Sequence, residues 1–280
     1  MISGSVIAQN ELLEELAQSD KSDDYALQTF KSTRIVNGQS VETKGKGELE
    51  FIFSHRFGRV NSGSYNFWGL DDAFVRLGLE YGITDRLGVS IGRTSVDKTF
   101  DGFLRYKLAR QRQGGGFPLT VTTIGTGYVL TSPRAKDNPQ ISMNDRLAYS
   151  LSVLLARRVN STLSVQLTPV FVHRNTVNAA TENNDDFSLG AGGRCKVTRS
   201  VSLTAEYYYR LNPNQNSVNY DAIGFGVDIE TGGHVFQLVF TNSLGMFDRA
   251  IVAETGGDFF DGDIHFGFNI TRSFQLSRRQ

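Results

Sequence analysis

The chain has 280 residues with 29 basic and 29 acidic side chains, so its formal net charge is zero. This balance gives no reason to expect nucleic acid or another polyanion as a partner. No stretch approaches the roughly 18 consecutive apolar residues that a transmembrane helix needs, although a barrel strand needs only every second side chain to be apolar. The single cysteine, Cys195, excludes an intramolecular disulfide, and we interpret it as a small apolar side chain.

The first residues resemble the end of a secretory signal peptide. Val6 and Ala8 stand at the −3 and −1 positions before Gln9, so residues 1–8 are expected to be a residual signal-peptide tail. The alternative is an ordinary flexible N-terminus.

A periplasmic N-terminal extension is expected to follow, over residues 9–42. Within it, residues 29–42 leave three interpretations open. They form an additional strand, a segment folded into the lumen, or part of a periplasmic rim.

Most of the remaining chain alternates apolar with small or polar side chains, as residues 72–84 show. There Val75 and Leu77 fall on one face, whereas Arg76 and Glu80 fall on the other. Because successive side chains of a strand point to opposite sides, such a strand has one apolar and one polar face. Strands are predicted over residues 47–57, 71–84, 87–95, 100–111, 118–130, 145–158, 163–174, 186–198, 201–211, 220–230, 234–243 and 263–274.

The predicted connections alternate in length. Tight turns follow the second, fourth, sixth, eighth and tenth strands, and the other connections are longer, except for residues 96–99. Short periplasmic turns and long extracellular loops are typical of outer-membrane barrels, and an even number of strands places both termini in the periplasm. The fold class is therefore predicted to be all-β. Residues 43–280 would form a transmembrane antiparallel β-barrel of about 12 strands in the outer membrane of a Gram-negative bacterium.

A soluble sandwich would also alternate, but its polar face would carry many Lys and Glu side chains. Here that face is rich in Gly, Ser and Thr, with single charges among them. Closure into a barrel also removes the two edges that an open sheet would expose. The pattern therefore favours the barrel.

Several segments of the chain resemble an uncharacterised family of bacterial outer-membrane β-barrel proteins. These segments are residues 30–38, 54–58, 69–73, 81–87, 190–194, 206–209 and 231–238. The resemblance extends over nearly everything from residue 28 to residue 274. It implies the fold and the compartment, but it implies no activity, because the family is known as a domain of unknown function.

Two patterns that suggest an enzyme have simpler explanations. Residues 88–92 read G-x-S-x-G, but Ser90 lies within an alternating strand and not at the strand-to-helix turn of a hydrolase nucleophile. His55 and His173 are expected on the outer face, and no serine stands out as their partner. The chain is predicted not to be an enzyme, and an outer-membrane lipid hydrolase is the least favoured function.

Two acidic patches in predicted extracellular loops, at residues 183–186 and 258–263, contain carboxylates that could hold a calcium ion. Their spacing does not fit an EF-hand loop, and solvated loop acids account for both. No metal site and no cofactor is predicted. The expected partners are outer-membrane lipid, the barrel-assembly machinery, and a periplasmic or outer-membrane protein. The aromatic Phe274 near the end of the last strand resembles the signal by which outer-membrane barrels are assembled.

The inward face of the predicted barrel has a small excess of basic side chains. The candidates for lining the lumen are Arg76, Glu80, Asp101, Arg105, Lys107, Arg194, Lys196, Glu206, Arg210 and Asp228. These charges fit the wall of a water-filled pore with a mild preference for anions, and they equally fit pairs that brace a filled interior. Barrels of about 8 strands are filled and those of about 16 are open, so the strand number leaves both readings open.

The leading function is passive or weakly selective passage of small polar solutes. The alternative is a non-conducting structural or docking barrel for a partner protein. That alternative gains support if residues 30–42 fold into the lumen.

Overall fold

The computed structural model describes residues 25–26, 28–113, 115–132, 142–231 and 234–276. In these ranges twelve antiparallel strands form a closed barrel, in which each strand pairs with its sequence neighbours and the first pairs with the last. The strands are β1 (Glu48–Arg59), β2 (Ala73–Gly82), β3 (Leu87–Thr94), β4 (Phe100–Ala109), β5 (Thr120–Val129), β6 (Leu147–Arg158), β7 (Leu163–Arg174), β8 (Asp185–Lys196), β9 (Val201–Arg210), β10 (Ala222–Thr231), β11 (His234–Thr241) and β12 (His265–Gln275). The predicted antiparallel barrel is thereby confirmed.

Side chains along each strand alternate between the outside and the inside of the barrel. In β4, Leu104 is 61% exposed on the outside, whereas its neighbour Arg105 is completely buried inside. In β2 the same relation holds between Leu77 and Arg76, and Cys195 of β8 is on the exposed face. Charged side chains of soluble proteins face the outside. An apolar outside around a polar interior is instead the arrangement that a barrel in lipid requires.

The connections at the two ends of the barrel differ in length. The short-turn end has the connections after the even-numbered strands, and the long-loop end has those after the odd-numbered strands; residues 110–119 at the first end and residues 95–99 at the second are the exceptions in length. In three of the short turns, a side-chain oxygen accepts a hydrogen bond from a backbone N–H three residues later. Thr84 Oγ1 accepts from Leu87 N at 2.9 Å, Asn160 Oδ1 accepts from Leu163 N at 2.8 Å, and Thr198 makes the equivalent bond. These bonds reverse the chain while keeping its N–H groups paired.

Residues 29–44 lie inside the barrel as a hairpin, which we call the lumen hairpin. Two backbone hydrogen bonds define it, from Ile35 N to Gly38 O at 2.9 Å and from Ser40 N to Thr33 O at 2.9 Å. The chain enters the lumen from the short-turn end, reverses its direction at residues 36–37, and returns to the short-turn end, where β1 begins.

This location selects one of the three interpretations of residues 29–42. Phe30, Ile35 and Val41 are at most 2% exposed, so the segment is folded into the lumen and is neither a strand of the barrel nor a rim. The expected periplasmic extension over residues 9–42 is therefore corrected from residue 29 onward. The physical reason is that the polar barrel wall provides hydrogen-bond partners for the hairpin backbone, which a buried segment needs. Residues 1–24, which include the expected signal-peptide tail, lie outside the described residues.

A second segment fills the lumen from the long-loop end. The connection between β11 and β12, residues 242–264, folds inward and carries a short helix, α1 (Asp248–Ala253), whose six residues are all buried. The helix contacts strands β6 to β9 on one side of the barrel. Ile251 shares a buried apolar cluster with Val172. No helix in the described ranges is long and apolar enough to cross a membrane.

Candidate functional site in the barrel lumen

The ten charged residues predicted to line the lumen all lie on strands. Nine of them are at most 9% exposed, namely Arg76, Glu80, Asp101, Arg105, Lys107, Arg194, Glu206, Arg210 and Asp228, and the tenth, Lys196, is half-buried. The lumen hairpin and the β11–β12 connection occupy the space between them. The structure therefore places these residues in the interior, and their part in conduction stays a prediction.

The tip of the lumen hairpin is bound by one carboxylate of the barrel wall. Glu206, on β9, accepts backbone hydrogen bonds from Val36 N at 3.1 Å, Asn37 N at 2.7 Å and Gly38 N at 3.1 Å. Three consecutive N–H groups that converge on one anion form a concave anion-binding surface of the kind called a nest. The contact satisfies donors at the turn that have no partner within the hairpin.

Amides and a buried arginine complete the binding of the tip. Arg56, on β1, is fully buried and donates to Asn37 Oδ1 at 2.8 Å. Asn269 Nδ2 donates to Val36 O at 3.0 Å, and Gln237 Nε2 donates to Ile35 O at 3.1 Å. The tip is thus held by side chains of β1, β9, β11 and β12, and almost every one of these contacts is polar.

The returning limb of the hairpin is bound by Arg105 of β4. Arg105 Nη1 donates to the backbone oxygens of Ser40 and Glu42, both at 2.6 Å. Its Nε lies 3.0 Å from Glu80 Oε1, and both side chains are at most 1% exposed. The buried charge of Arg105 is therefore balanced by the wall, while its remaining N–H groups bind the hairpin.

A second buried ion pair lies in the wall itself. Arg76, on β2, contacts Asp101 of β4 through Nε at 3.0 Å and Nη2 at 2.5 Å. The bidentate geometry is the one that guanidinium and carboxylate groups favour. The charges of Arg34 in the hairpin and Asp248 in α1 are near enough to attract each other, so the two segments that fill the barrel approach each other in its interior.

Contacts at the short-turn end hold the base of the hairpin. Lys44 Nζ lies 2.6 Å from Glu50 Oε1, and Glu50 Oε2 accepts from Thr33 Oγ1 at 2.8 Å. Burial opposes the charge of Lys44, but the neighbouring Glu50 carboxylate outweighs it and raises the pKa of Lys44 above its ordinary value. Before the hairpin, the ring of Tyr25 lies 4.5 Å from the Arg110 guanidinium in a cation–π contact.

A cavity of about 520 Å³, which we call the vestibule, remains at the long-loop end. Its lining includes charged and apolar side chains, namely Val96, Asp97, Leu130, Asp145, Leu147, Arg174, Glu182, Leu244, Arg249 and Glu254. Arg174 is bound to Asp186 Oδ2 at 3.0 Å and to Glu182 Oε1 at 3.1 Å. At the edge, hydrogen bonds from Ser142 lower the pKa of Asp145, which keeps that carboxyl charged. The inner wall of the vestibule includes Arg249 of α1, and this helix lies between the vestibule and the lumen hairpin.

Wall side chains in the middle of the described lumen are shielded from solvent. Arg56, Arg76 and Arg105 belong to three different strands, and each is at most 1% exposed. A water-filled pore would leave such wall side chains accessible to solvent. At the level of these three residues the described lumen is filled.

The charged residues of the barrel wall could be identified from the sequence, but the residues that they bind could not. Arg34, Asn37 and Asp248 lie in segments without strand periodicity, and nothing in their local sequence marks them as interior residues. The one indication of this filling in the sequence was that residues 29–42 could be a segment folded into the lumen. The strand pattern determined which wall side chains point inward, and the filling segments determined what those side chains bind.

The residues of the rejected enzyme patterns lie apart. Ser90 is within β3, the His55 ring stacks on Phe268 with 5.2 Å between ring centroids, and His173 Nδ1 lies 2.7 Å from Asp185 Oδ1. In the described ranges there is no group of three or more His, Cys, Asp or Glu side chains that could hold a metal ion.

Comparison with known proteins supports the architecture. Residues 30–274 match the profile of the family described as membrane bound beta barrel domain (DUF5777). The chain is similar in structure to the KdgM porin, with a TM-score of 0.51 and 10% identity over 80% of this chain and 99% of that chain. It is also similar to the COG4313 outer membrane channel from Pseudomonas putida F1, with a TM-score of 0.51 and 12% identity over 88% of this chain and 100% of that chain. At this identity the likeness shows the fold alone. The chain matches no curated protein in sequence.

Proposed function

This chain belongs to the DUF5777 family of membrane-bound β-barrel domains, and we propose that it is a bacterial outer-membrane channel for small polar solutes that its own lumen hairpin holds closed. The observation that carries this proposal is the polar contact between the hairpin and the barrel wall. In the proposal the short-turn end faces the periplasm, as short turns of outer-membrane barrels do, so both termini and the base of the hairpin are periplasmic.

The chemistry of the contact supports a removable filling. The hairpin tip is held by Glu206, Arg56 and Asn269 through hydrogen bonds. Water can replace hydrogen bonds of this kind, so each contributes only about 0.5–1.5 kcal/mol net, and those to charged groups about 1.5–3 kcal/mol. A barrel without the hairpin would keep a polar, charged wall that water can wet. The hairpin also makes apolar contacts. Phe30, Ile35, Val36 and Val41 belong to one buried cluster with wall residues that include Phe103 and Leu154, and these contacts are lost on withdrawal as well.

The connectivity also supports withdrawal of the hairpin. Its two ends both lie at the short-turn end, and its backbone pairs only with itself between Thr33 and Ser40. The hairpin can therefore leave the lumen without breaking a strand pairing of the barrel. Because acidic and basic side chains are paired on the wall, we expect the open state to be only weakly selective between anions and cations.

The alternative function is a non-conducting docking barrel, and one observation favours it. The β11–β12 connection fills the long-loop end with α1, and Ile251 and Val252 of this helix pack in an apolar cluster with Val170 and Tyr208. This apolar packing has to be lost before the long-loop end can open, in addition to the apolar contacts that the hairpin loses on withdrawal. If it stays in place, the barrel serves as a platform for a partner protein.

Single-channel conductance in a planar bilayer tests the proposal. The refolded wild-type protein is compared with a variant in which residues 29–41 are replaced by a short Gly-Ser linker. A third protein carries that change and a linker in place of residues 246–254. We expect the wild type to be mostly silent and at least one of the variants to show stable steps. Folded variants that both stay silent would refute the channel and favour the docking barrel.

A reversible lock provides the matched control. Asn37 Nδ2 and Thr241 Oγ1 are 2.8 Å apart, so Asn37→Cys and Thr241→Cys, in a Cys195→Ser background, join the hairpin tip to β11 when oxidised. We expect brief openings in the reduced protein and none in the oxidised protein. Equal conductance of the two forms would show that the hairpin does not control passage.

A further inference from the structure

The vestibule has the shape and the charges of a binding site for a small molecule. We propose that it binds a small zwitterion, an α-amino acid with an aliphatic side chain, whose carboxylate contacts Arg249 and whose ammonium group contacts Glu182 and Glu254. Binding of this kind does not depend on passage through the barrel. It goes beyond the proposed channel and stands or falls by itself.

Arg249 is the first observation that points to a ligand. This side chain of α1 is 2% exposed and lines the vestibule. Its charge is balanced by two carboxylates, since Nη2 lies 3.1 Å from Glu254 Oε2 and 3.9 Å from Asp97 Oδ2, but neither Nη2 nor Nε makes a hydrogen bond of good geometry in the described structure. A buried donor without a partner costs about 1–3 kcal/mol. A carboxylate is the acceptor that matches the planar guanidinium fork.

The balance of charge around the vestibule is the second observation. Its charged lining residues are the acidic Asp97, Asp145, Glu182 and Glu254 and the basic Arg174 and Arg249. The acidic groups thus exceed the basic groups by two, which favours a ligand that also carries positive charge. The side chains of Glu182 and Glu254 are 24% and 23% exposed, so a ligand can reach their carboxylates. This acidic excess would repel a simple anion, and a simple amine would offer no hydrogen-bond acceptor to Nη2 and Nε of Arg249.

Apolar side chains define what the rest of the ligand should be. Val96, Leu130, Leu147 and Leu244 line the same cavity. An aliphatic side chain can pack against these residues, and burial of apolar surface contributes about 25 cal/mol per Å². The volume of about 520 Å³ lies within the range of roughly 300–1,000 Å³ that is usual for small-molecule sites.

Three probes of nearly the same shape test the proposal on the refolded full-length protein. L-leucine carries both charges, 4-methylpentanoate lacks the ammonium group, and 3-methylbutylamine lacks the carboxylate. Binding is measured by ligand-observed nuclear magnetic resonance in detergent micelles. We expect leucine to bind at least about tenfold more tightly than either analogue, a difference of about 1.4 kcal/mol. Equal binding of leucine and 4-methylpentanoate, or no leucine binding at millimolar concentration, would overturn the proposal.

Variants connect the binding to the named side chains. Arg249→Gln and Glu182→Gln should each weaken leucine binding by about tenfold or more, whereas Arg249→Lys should weaken it less than Arg249→Gln. Asp261→Asn, in the same β11–β12 connection but outside the vestibule lining, is the control and should bind as the wild type does. If Arg249→Gln disturbs folding, Glu182→Gln still decides the matter, because its side chain is in the β7–β8 loop. Unchanged binding in Glu182→Gln would contradict the assigned ammonium contact.

The outcome is independent of conductance. Leucine binding by a protein that never conducts would support the vestibule site and refute the channel. Conductance without leucine binding would support the channel and refute the vestibule site.

Discussion

Glu206 Oε1 accepts a hydrogen bond of 2.7 Å from the backbone nitrogen of Asn37, a residue 169 positions away in the sequence. The same carboxylate also accepts from the two residues that flank Asn37. A barrel-wall side chain therefore organises the reversal of a segment that has no regular secondary structure of its own. This contact provides the sharpest way to separate the hairpin from the barrel in an experiment.

Replacement of Glu206 by Gln should loosen the hairpin tip. The neutral amide accepts through one oxygen only, and its NH₂ group faces the hairpin donors, so we expect a loss of about 1–3 kcal/mol in hairpin binding. The open population should rise about tenfold for each 1.4 kcal/mol lost. The readout is maleimide labelling of Val41→Cys, a fully buried position, in a Cys195→Ser background. Asp258→Asn, a loop carboxylate, is the control. Labelling at the same rate with Glu206 and with Gln would contradict the anchoring role.

Removal of Arg105 alone should be more damaging than removal of the Arg105–Glu80 pair. Arg105→Gln leaves Glu80 buried without its counter-charge, which costs about 3–5 kcal/mol. The double change to Arg105→Gln and Glu80→Gln removes both charges, so much of the stability should return. Urea unfolding of the wild type, Arg105→Gln, Glu80→Gln and the double variant in the same detergent measures the coupling. Strictly additive effects of the two changes would show that the pair is not coupled.

The space beside the Arg76–Asp101 pair makes Gly92 sensitive to substitution. A Cβ at Gly92 would overlap Arg76 Nη2 and lie 2.8 Å from Asp101 Oδ1. We expect Gly92→Ala to destabilise the barrel by about 1–3 kcal/mol. Gly125→Ala is the matched control, since no atom lies within 4 Å of its added Cβ, and its effect should stay within about 0.5 kcal/mol. Thermal unfolding of the two variants compares them directly, and similar melting temperatures would refute the steric argument.

A compensating pair tests the packing of the hairpin tip. A Cβ at Gly38 would overlap the Tyr208 hydroxyl, so Gly38→Ala should displace the tip and increase labelling of Val41→Cys. Tyr208→Phe removes the overlapping oxygen, so Gly38→Ala in combination with Tyr208→Phe should recover part of the protection. If the single and double variants are labelled equally, the tip does not occupy the position described.

The barrel could be predicted from the sequence because the alternation of side chains that defines each strand is a local property of the chain. In β2, Leu77 and Arg76 must face opposite sides whatever the rest of the chain does, so alternation determines both the strand and its orientation. This is why the wall residues, Glu206 and Arg105 among them, were identified as interior. Strand ends differ from the prediction by no more than two residues in most cases, as for β7 (Leu163–Arg174).

The lumen filling could not be predicted in the same way. Asn37 has its place because Glu206, Arg56 and Thr241 form hydrogen bonds with it, and these partners lie on other segments of the chain. A hairpin without apolar alternation looks like a loop until its partners are known. The helix α1 is too short, at six residues, to show a helical period, so its burial depends wholly on the barrel around it.

The position of the lumen hairpin also constrains how the protein is assembled. The hairpin immediately precedes β1, and β1 closes the barrel by pairing with β12. Asn269, which donates to the hairpin tip, is in that last strand. The hairpin is thus made before the strand that encloses it. A growing chain that lacks β12 has neither the closing seam nor the full set of partners for the hairpin, so both the enclosure of the hairpin and the closure of the barrel can be completed only after β12 has been made.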